Sequence, residues 1–219
     1  MSKSKTKKAK INLNTIGNIL IFLSLSILYL TFYPVVKEEV LYNLEKFRNP
    51  TYQVVENPNE EKTVKQDKKV KTLVPSNTDF SIVIPKIEAV APVIANVDYT
   101  DPEKFLPVLK KGVAHAMGSS YPDQTGNVYI FAHSTDAFFN VNSFNAVFYL
   151  LGKLKNGDEI YVYYKGTKYI YSVDDVRVVS KDDTYYLGKT SDKNTLTLQT
   201  CYPPGTTLKR LIVIAILNE

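Results

Sequence analysis

Thr195-Leu-Thr-Leu-Gln-Thr-Cys201, then Tyr202-Pro-Pro-Gly205, then Arg210-Leu-Ile-Val-Ile-Ala-Ile216 is the stretch that decides the fold. Its first run alternates strictly, and side chains at period two fall on opposite faces of a strand. Leu196, Leu198 and Thr200 share one face; Thr195, Thr197, Gln199 and Cys201 share the other. The leucines claim the core, which leaves the thiol on the polar face, at the strand's end. Between Cys201 and Arg210, Pro203, Pro204 and Gly205 supply a turn-forming composition. If the flanking strands pair as a hairpin, Cys201 and Arg210 meet at one end of a sheet.

Working outward, the same kind of run recurs upstream. Residues 80–89 and 93–97 are short β-type segments around Pro85 and Pro92, which places those prolines at edges or bends. Residues 127–133 form a further strand after the turn signal Asp123-Gln124-Thr125-Gly126. Residues 159–164 and 168–179 alternate and are separated by Lys165-Gly166-Thr167, a hairpin signature. Helix is sparse: residues 101–109, with Thr100 as N-cap and Pro102 at the first position, and a helical turn over 144–151. Seven or eight strands with little helix predict a mainly β fold, a closed or nearly closed barrel over 79–219. Sixteen Tyr and ten Phe agree with it.

Ahead of that domain the chain changes character. Lys3, Lys5, Lys7, Lys8 and Lys10 make a basic tail over 1–15, and no acid precedes residue 38. Without those five lysines, acids and bases balance, so the folded part offers no basic face and a nucleic-acid partner is not expected. Residues 16–36 are apolar for about 20 residues, enough to span a bilayer. Lysines on the N-terminal flank put that end in the cytoplasm, and Tyr29, Phe32 and Tyr33 suit the far interface. A cleaved secretory signal would have a shorter apolar core and a small-x-small site, which is not found after Tyr33. The expectation is a single-pass anchor in the cell membrane, with the domain outside. Residues 37–78 are expected to be a short helical stalk, striped by Val36, Val40, Leu44 and Phe47, followed by a flexible linker from residue 49 onward.

Three residue types carry chemistry. Cys201 is the single cysteine, so it forms no intramolecular disulfide, and a free thiol outside the cell calls for an explanation. His133 ends the run Val128-Tyr-Ile-Phe-Ala-His133, where strand gives way to loop, and His115 lies in the less regular Gly112-Val-Ala-His115. Spacing alone does not choose between these histidines as partner for the thiol. Arg210 keeps its proton near neutral pH, which makes it a poor base but a good holder of a thiolate, a carbonyl or an oxyanion. No metal constellation stands out and no cofactor is expected.

Thr197-Leu198-Gln199-Thr200-Cys201 followed by Arg210-Leu-Ile-Val resembles the sortase signature TLxTC with its later arginine strand. Gly126-Asn127 leading to Ile130-Phe-Ala-His133-Ser134 is similar to the family's strand ending in the catalytic histidine, with Ala132 where Gly is customary. The likeness covers roughly residues 78–219. It implies an eight-stranded barrel with Cys201 as nucleophile, His133 as general acid and base, and Arg210 steadying the tetrahedral intermediate. His115 is similar to a histidine that accompanies several sortases upstream of the catalytic one, in a peripheral role; Thr200, next to the nucleophile, and Tyr202, in the loop that follows, are expected to shape the substrate pocket with it. The likeness further implies an LPXTG-like sorting signal on surface proteins, a thioester, and an amine acceptor from a cell-wall precursor or a pilin lysine. A pilin-polymerising sortase and a non-catalytic anchored barrel that binds peptide are the alternatives.

Overall fold

The computed structural model describes residues 13–48, 51–55, 70–134, 147–188 and 194–218. Helix α1 (Leu13–Arg48) is one continuous element of 36 residues, so the expected anchor and stalk share one helix. Its described side chains from Ile19 to Leu30 include ten large apolar groups, each more than half exposed, on every side of the helix. Among the described residues no helix is long and apolar enough to cross a membrane. Past Pro34 the helix touches the domain: Lys153 Nζ lies 3.0 Å from Glu39 Oε2 and 5.5 Å from the centre of the Tyr42 ring.

Two parts of the expected linker are strands, while residues 56–69 lie outside the described residues. Strands β1 (Thr51–Val54) and β2 (Val70–Leu73) pair in parallel as a separate two-stranded sheet. Tyr52 and Lys71 both reach Glu88, and Val55 is buried. The sequence hides this because four-residue strands interrupted by a polar stretch show no periodicity.

The domain proper is a closed barrel of eight strands: β3 (Phe80–Ile84), β4 (Ala89–Val97), β5 (Val113–Ala116), β6 (Asn127–Phe131), β7 (Glu159–Tyr164), β8 (Thr167–Ser180), β9 (Thr195–Tyr202) and β10 (Lys209–Leu217). Their order around the barrel is β10-β8-β7-β3-β4-β5-β6-β9, closing through β9 and β10. Only β4–β5 and β6–β9 run parallel. The first of these crossovers is α2 (Pro102–Leu109), capped by Asp101, whose carboxylate accepts from the Glu103 N–H; the cap is thus one residue later than Thr100. The β7–β8 hairpin turns through Lys165 and Gly166, both at positive φ, the backbone twist that two-residue hairpins need.

Pro92 does not lie at an edge. It sits within β4, paired with Ser81, just before the ladder to β5 begins at Val93. Closure leaves no edge, and Gly112 explains how the neighbouring chain passes: a Cβ there would sit 2.4 Å from the Pro92 carbonyl oxygen. Pro85 does mark a bend, opening a single 3-10 turn (Pro85–Ile87). The expected turn over 144–151 is described only from 147, where Phe148 and Leu151 plug the barrel.

Two apolar clusters follow. The interior is filled by Ile82, Ile84, Ile130, Leu196, Leu198 and Val213 with their neighbours. A second cluster lies outside the barrel wall, where Leu109, Tyr129, Phe131, Tyr186, Ile212 and Ile214 pack beneath α2 and the segment after β8. Thr195 and Thr197 are therefore buried on the face the alternation marks as polar. Both hydroxyls donate to Asn127 Oδ1, and Asn127 Nδ2 donates to the Tyr186 carbonyl.

Candidate active site

Register places the chemistry. Along β6–β9 each residue faces the one 68 positions later, from Asn127↔Thr195 to Phe131↔Gln199. Two contacts carry that register past the end of β6. The Ala132 N–H donates to the Gln199 carbonyl at 3.1 Å, and Thr200 Oγ1 donates to the Ala132 carbonyl at 3.0 Å. His133 thus arrives level with Cys201. On the other side of β9, Arg210 is the direct cross-strand partner of Cys201. Neighbouring strands lie about 4.8 Å apart, so His133, just past the end of β6, Cys201 on β9 and Arg210 on β10 stand at one level on adjacent segments.

All three line one cavity of about 340 Å³. It is lined also by Tyr129, Phe131 and Gln199 from the barrel, by Phe105 and Leu106 from α2, and by Lys181, Asp183 and Leu187 from the segment after β8. Phe105 meets Phe131 edge to face at 6.0 Å, which ties α2 to β6. Cys201 is partly exposed at the mouth. A thiol acts as a nucleophile through its thiolate. Arg210 Nη1 donates to the carbonyls of Thr207 and Lys209, both at 3.1 Å. Among the described residues it forms no ion pair with a carboxylate, so its charge is not consumed internally.

Tyr129 is buried, and its hydroxyl donates to Gln199 Oε1 at 2.6 Å. Burial pushes the phenol above its ordinary range, with Arg210 pulling the other way. The phenol keeps its proton and stays a donor.

The remaining candidates divide. Thr200 lines the cavity, but its hydroxyl is spent on the Ala132 carbonyl, so it holds the strand end that bears His133. Tyr202 is 37% exposed and does not line the cavity. His115 is fully buried away from it. The Asn96 N–H donates to His115 Nδ1 at 3.2 Å, and Nε2–H donates to the Ser120 carbonyl at 3.1 Å, with Ser119 Oγ 2.9 Å from the same nitrogen. The ring stacks on Tyr121, and burial lowers its pKa. With both nitrogens engaged inside the fold, His115 has no surface to offer a substrate; the expected contact is replaced by a structural one.

Tyr129, Gln199 and α2 join the site without having stood out as candidates in the sequence. Gln199 shares a face with Cys201, and Tyr129 shares parity with His133, so alternation held a signal for both. Nothing in the sequence ties the 102–109 segment to the cavity. Among the described residues no group of three or more potential ligands is placed to hold a metal ion.

A sortase domain model matches residues 82–218. Sortase D of Bacillus subtilis (strain 168) is 32% identical over 133 residues, 59% of each chain. This chain therefore spans about three fifths of that relative's length. Among solved structures, the sortase D5 transpeptidase of Clostridium perfringens superposes with a TM-score of 0.53 at 27% identity, covering 74% of this chain and 90% of that one. Sortase C of C. perfringens, solved with the C-terminal cell wall sorting motif, gives 0.53 at 29%, covering 64% and 69%. The matched span holds the whole cavity and the three strands that meet at it, and the chain belongs to the sortase family.

Proposed function

We propose that this chain is a membrane-anchored transpeptidase that cuts a sorting signal through a Cys201 thioester and passes the acyl group to an amine. The observation that carries the proposal is the alignment of His133, Cys201 and Arg210 at one level around one cavity. The thiolate sulfur attacks the scissile carbonyl carbon, and Arg210 stabilises the oxyanion that forms. As the carbon–nitrogen bond breaks, His133 gives its proton to the departing amine, leaving a thioester. The incoming amine attacks that thioester, surrenders a proton to His133, and releases the thiolate.

The anchor is the run 16–36 of α1. Apolar side chains on all sides of a helix are stable only when buried or in lipid, and those from Ile19 to Leu30 are exposed in the isolated chain. Side chains 31, 32, 34 and 35 lie outside the described residues, so the described stretch is shorter than a full span. The basic tail keeps the N-terminus cytoplasmic and the barrel outside the cell. The substrate is a surface protein with an LPXTG-like signal, a reading supported by the likeness to a sortase C solved with a C-terminal cell wall sorting motif.

The deciding experiment is intact-mass spectrometry of the full chain in detergent micelles with an LPXTG-type peptide, then with added glycinamide. A thioester adduct, absent in Cys201→Ala, that yields an amine-linked product is expected. An adduct that goes only to hydrolysed peptide would make the chain a thiol protease, and a lysine side chain outcompeting every other amine would favour pilin polymerisation. No adduct with any peptide would leave a barrel that binds without catalysis.

A further inference from the structure

Most of the cavity wall is apolar, with Phe105, Leu106, Leu109, Phe131 and Leu187 around it. Among its polar lining residues, Tyr129 and Gln199 are bonded to each other. The Tyr129 hydroxyl, a protonated donor, fixes Gln199 Oε1 at 2.6 Å. That contact settles which end of the amide faces outward. Gln199 Nε2 has no hydrogen-bond partner among the described residues, and Gln199 lines the cavity. Two N–H donors are thus held, already oriented, in a cavity whose wall is mostly apolar.

Their position relative to the thiol gives them a purpose. Gln199 precedes Cys201 by two residues on the same face of β9, about 6.6 Å along the strand. An extended peptide in the groove covers that length in two residues. A transferase must hold the acyl half of its substrate through both half-reactions, whereas the leaving amine is exchanged. A walled cavity beside the nucleophile is therefore spent best on the acyl half.

We propose that Tyr129 and Gln199 form the polar subsite of this cavity: Gln199 donates to a backbone carbonyl about two residues before the scissile bond, and Tyr129 positions Gln199. The inference rests on the transpeptidase reading above and adds to it the residue that sets the peptide's depth. Gln199 touches substrate; Tyr129 acts only through Gln199.

The test is a double-mutant cycle on the full chain in micelles, following thioester formation from an LPXTG-type peptide. Gln199→Leu is expected to raise KM on the order of tenfold, one good hydrogen bond, with kcat within about threefold. Tyr129→Phe should raise KM severalfold, and the double variant should be no worse than Gln199→Leu alone, because the hydroxyl matters only while the amide is present. Additive effects would show two independent structural roles and overturn the proposal. If Tyr129→Phe loses its thermal transition, Gln199→Glu decides. It keeps the acceptor for Tyr129 but turns an acceptor towards the peptide, so KM should rise at least as far as in Gln199→Leu; an unchanged KM sinks the subsite. A wild-type chain that forms no thioester overturns the transpeptidase reading and this one with it. A wild-type chain that does, beside a Gln199→Leu that keeps its KM, overturns the subsite alone.

Discussion

The two histidines stand on neighbouring strands, β5 and the end of β6, and the fold uses them in opposite ways. His115 pairs across the sheet with Ile130 and is sealed inside, with both ring nitrogens engaged and Tyr121 stacked on it. His133 lies three residues beyond Ile130, past the last ladder pair, where the chain opens into the cavity. Three residues separate an imidazole sealed in the core from one that lines the cavity. Residue type and flanking pattern matter less here than whether the strand has ended.

The largest expected effect tests that contrast directly. His133→Ala should lower kcat for thioester formation by about 100- to 10,000-fold, the usual range for a positioned acid–base group, while leaving the melting temperature near wild type. His115→Ala should do the reverse. Removing a buried ring and orphaning the Asn96 N–H and the Ser120 carbonyl should cost about 2–4 kcal/mol of stability. Activity per folded molecule should stay within a few-fold. A His115→Ala chain that melts like wild type but fails to acylate would restore His115 to the site.

Acid should separate the pair again. Burial holds the His115 pKa below its unfolded value of about 6.5. Below that value the unfolded chain binds the proton more readily than the folded one, so ΔG of unfolding falls as pH falls. His115 neutral in the fold therefore contributes stability that is complete above about pH 6.5 and is drawn down on acidification towards its folded pKa. Asp98, held down at about 2 by its hydrogen bonds to Lys104 and Thr100, acts only in a lower window, below its ordinary value near 3.8. Melting curves between pH 7.5 and 5 should slope for wild type and flatten for His115→Gln. Equal slopes would mean that His115 does not carry the effect.

Much of this is legible in the sequence, and the parts that are not share a cause. Alternation in 195–201 and the turn after Tyr202 are enough to bring Cys201 and Arg210 to one end of a sheet, because a hairpin is a local object. His133 needs the parallel β6–β9 register, a pairing across 68 residues that no local pattern encodes. Resemblance supplies it where periodicity does not. The same alternation misleads at Thr195 and Thr197. A face read as polar is covered by a second apolar layer, and the threonine hydroxyls donate to Asn127. The α2 wall and the β1–β2 sheet lie beyond reach because their contacts are with distant segments.

Thr200 sharpens the comparison at a smaller scale, since it ties β9 to the carbonyl just before His133. Thr200→Val keeps the volume and removes the hydroxyl, at a cost of about 1 kcal/mol. We expect kcat to fall about three- to tenfold with KM nearly unchanged, the pattern of a misplaced acid–base group and not of a lost peptide contact. A rise in KM at constant kcat would instead make Thr200 a substrate-binding residue, as its place beside the nucleophile suggests.

Tyr202, on the far side of Cys201, should matter least. It ends β9 partly exposed, outside the cavity lining, while Thr200 two positions earlier is buried against the strand that carries His133. Neighbours i−1 and i+1 of a strand residue share a face, so Thr200 and Tyr202 differ only in how far along the strand they stand. That alone should separate them. Tyr202→Ala is expected to change kcat/KM by less than about threefold, since exposed side chains away from a site usually contribute within about ±0.5 kcal/mol. A tenfold or larger loss, measured on the same thioester assay, would mean that the bound peptide runs out over the end of β9 as well as into the cavity.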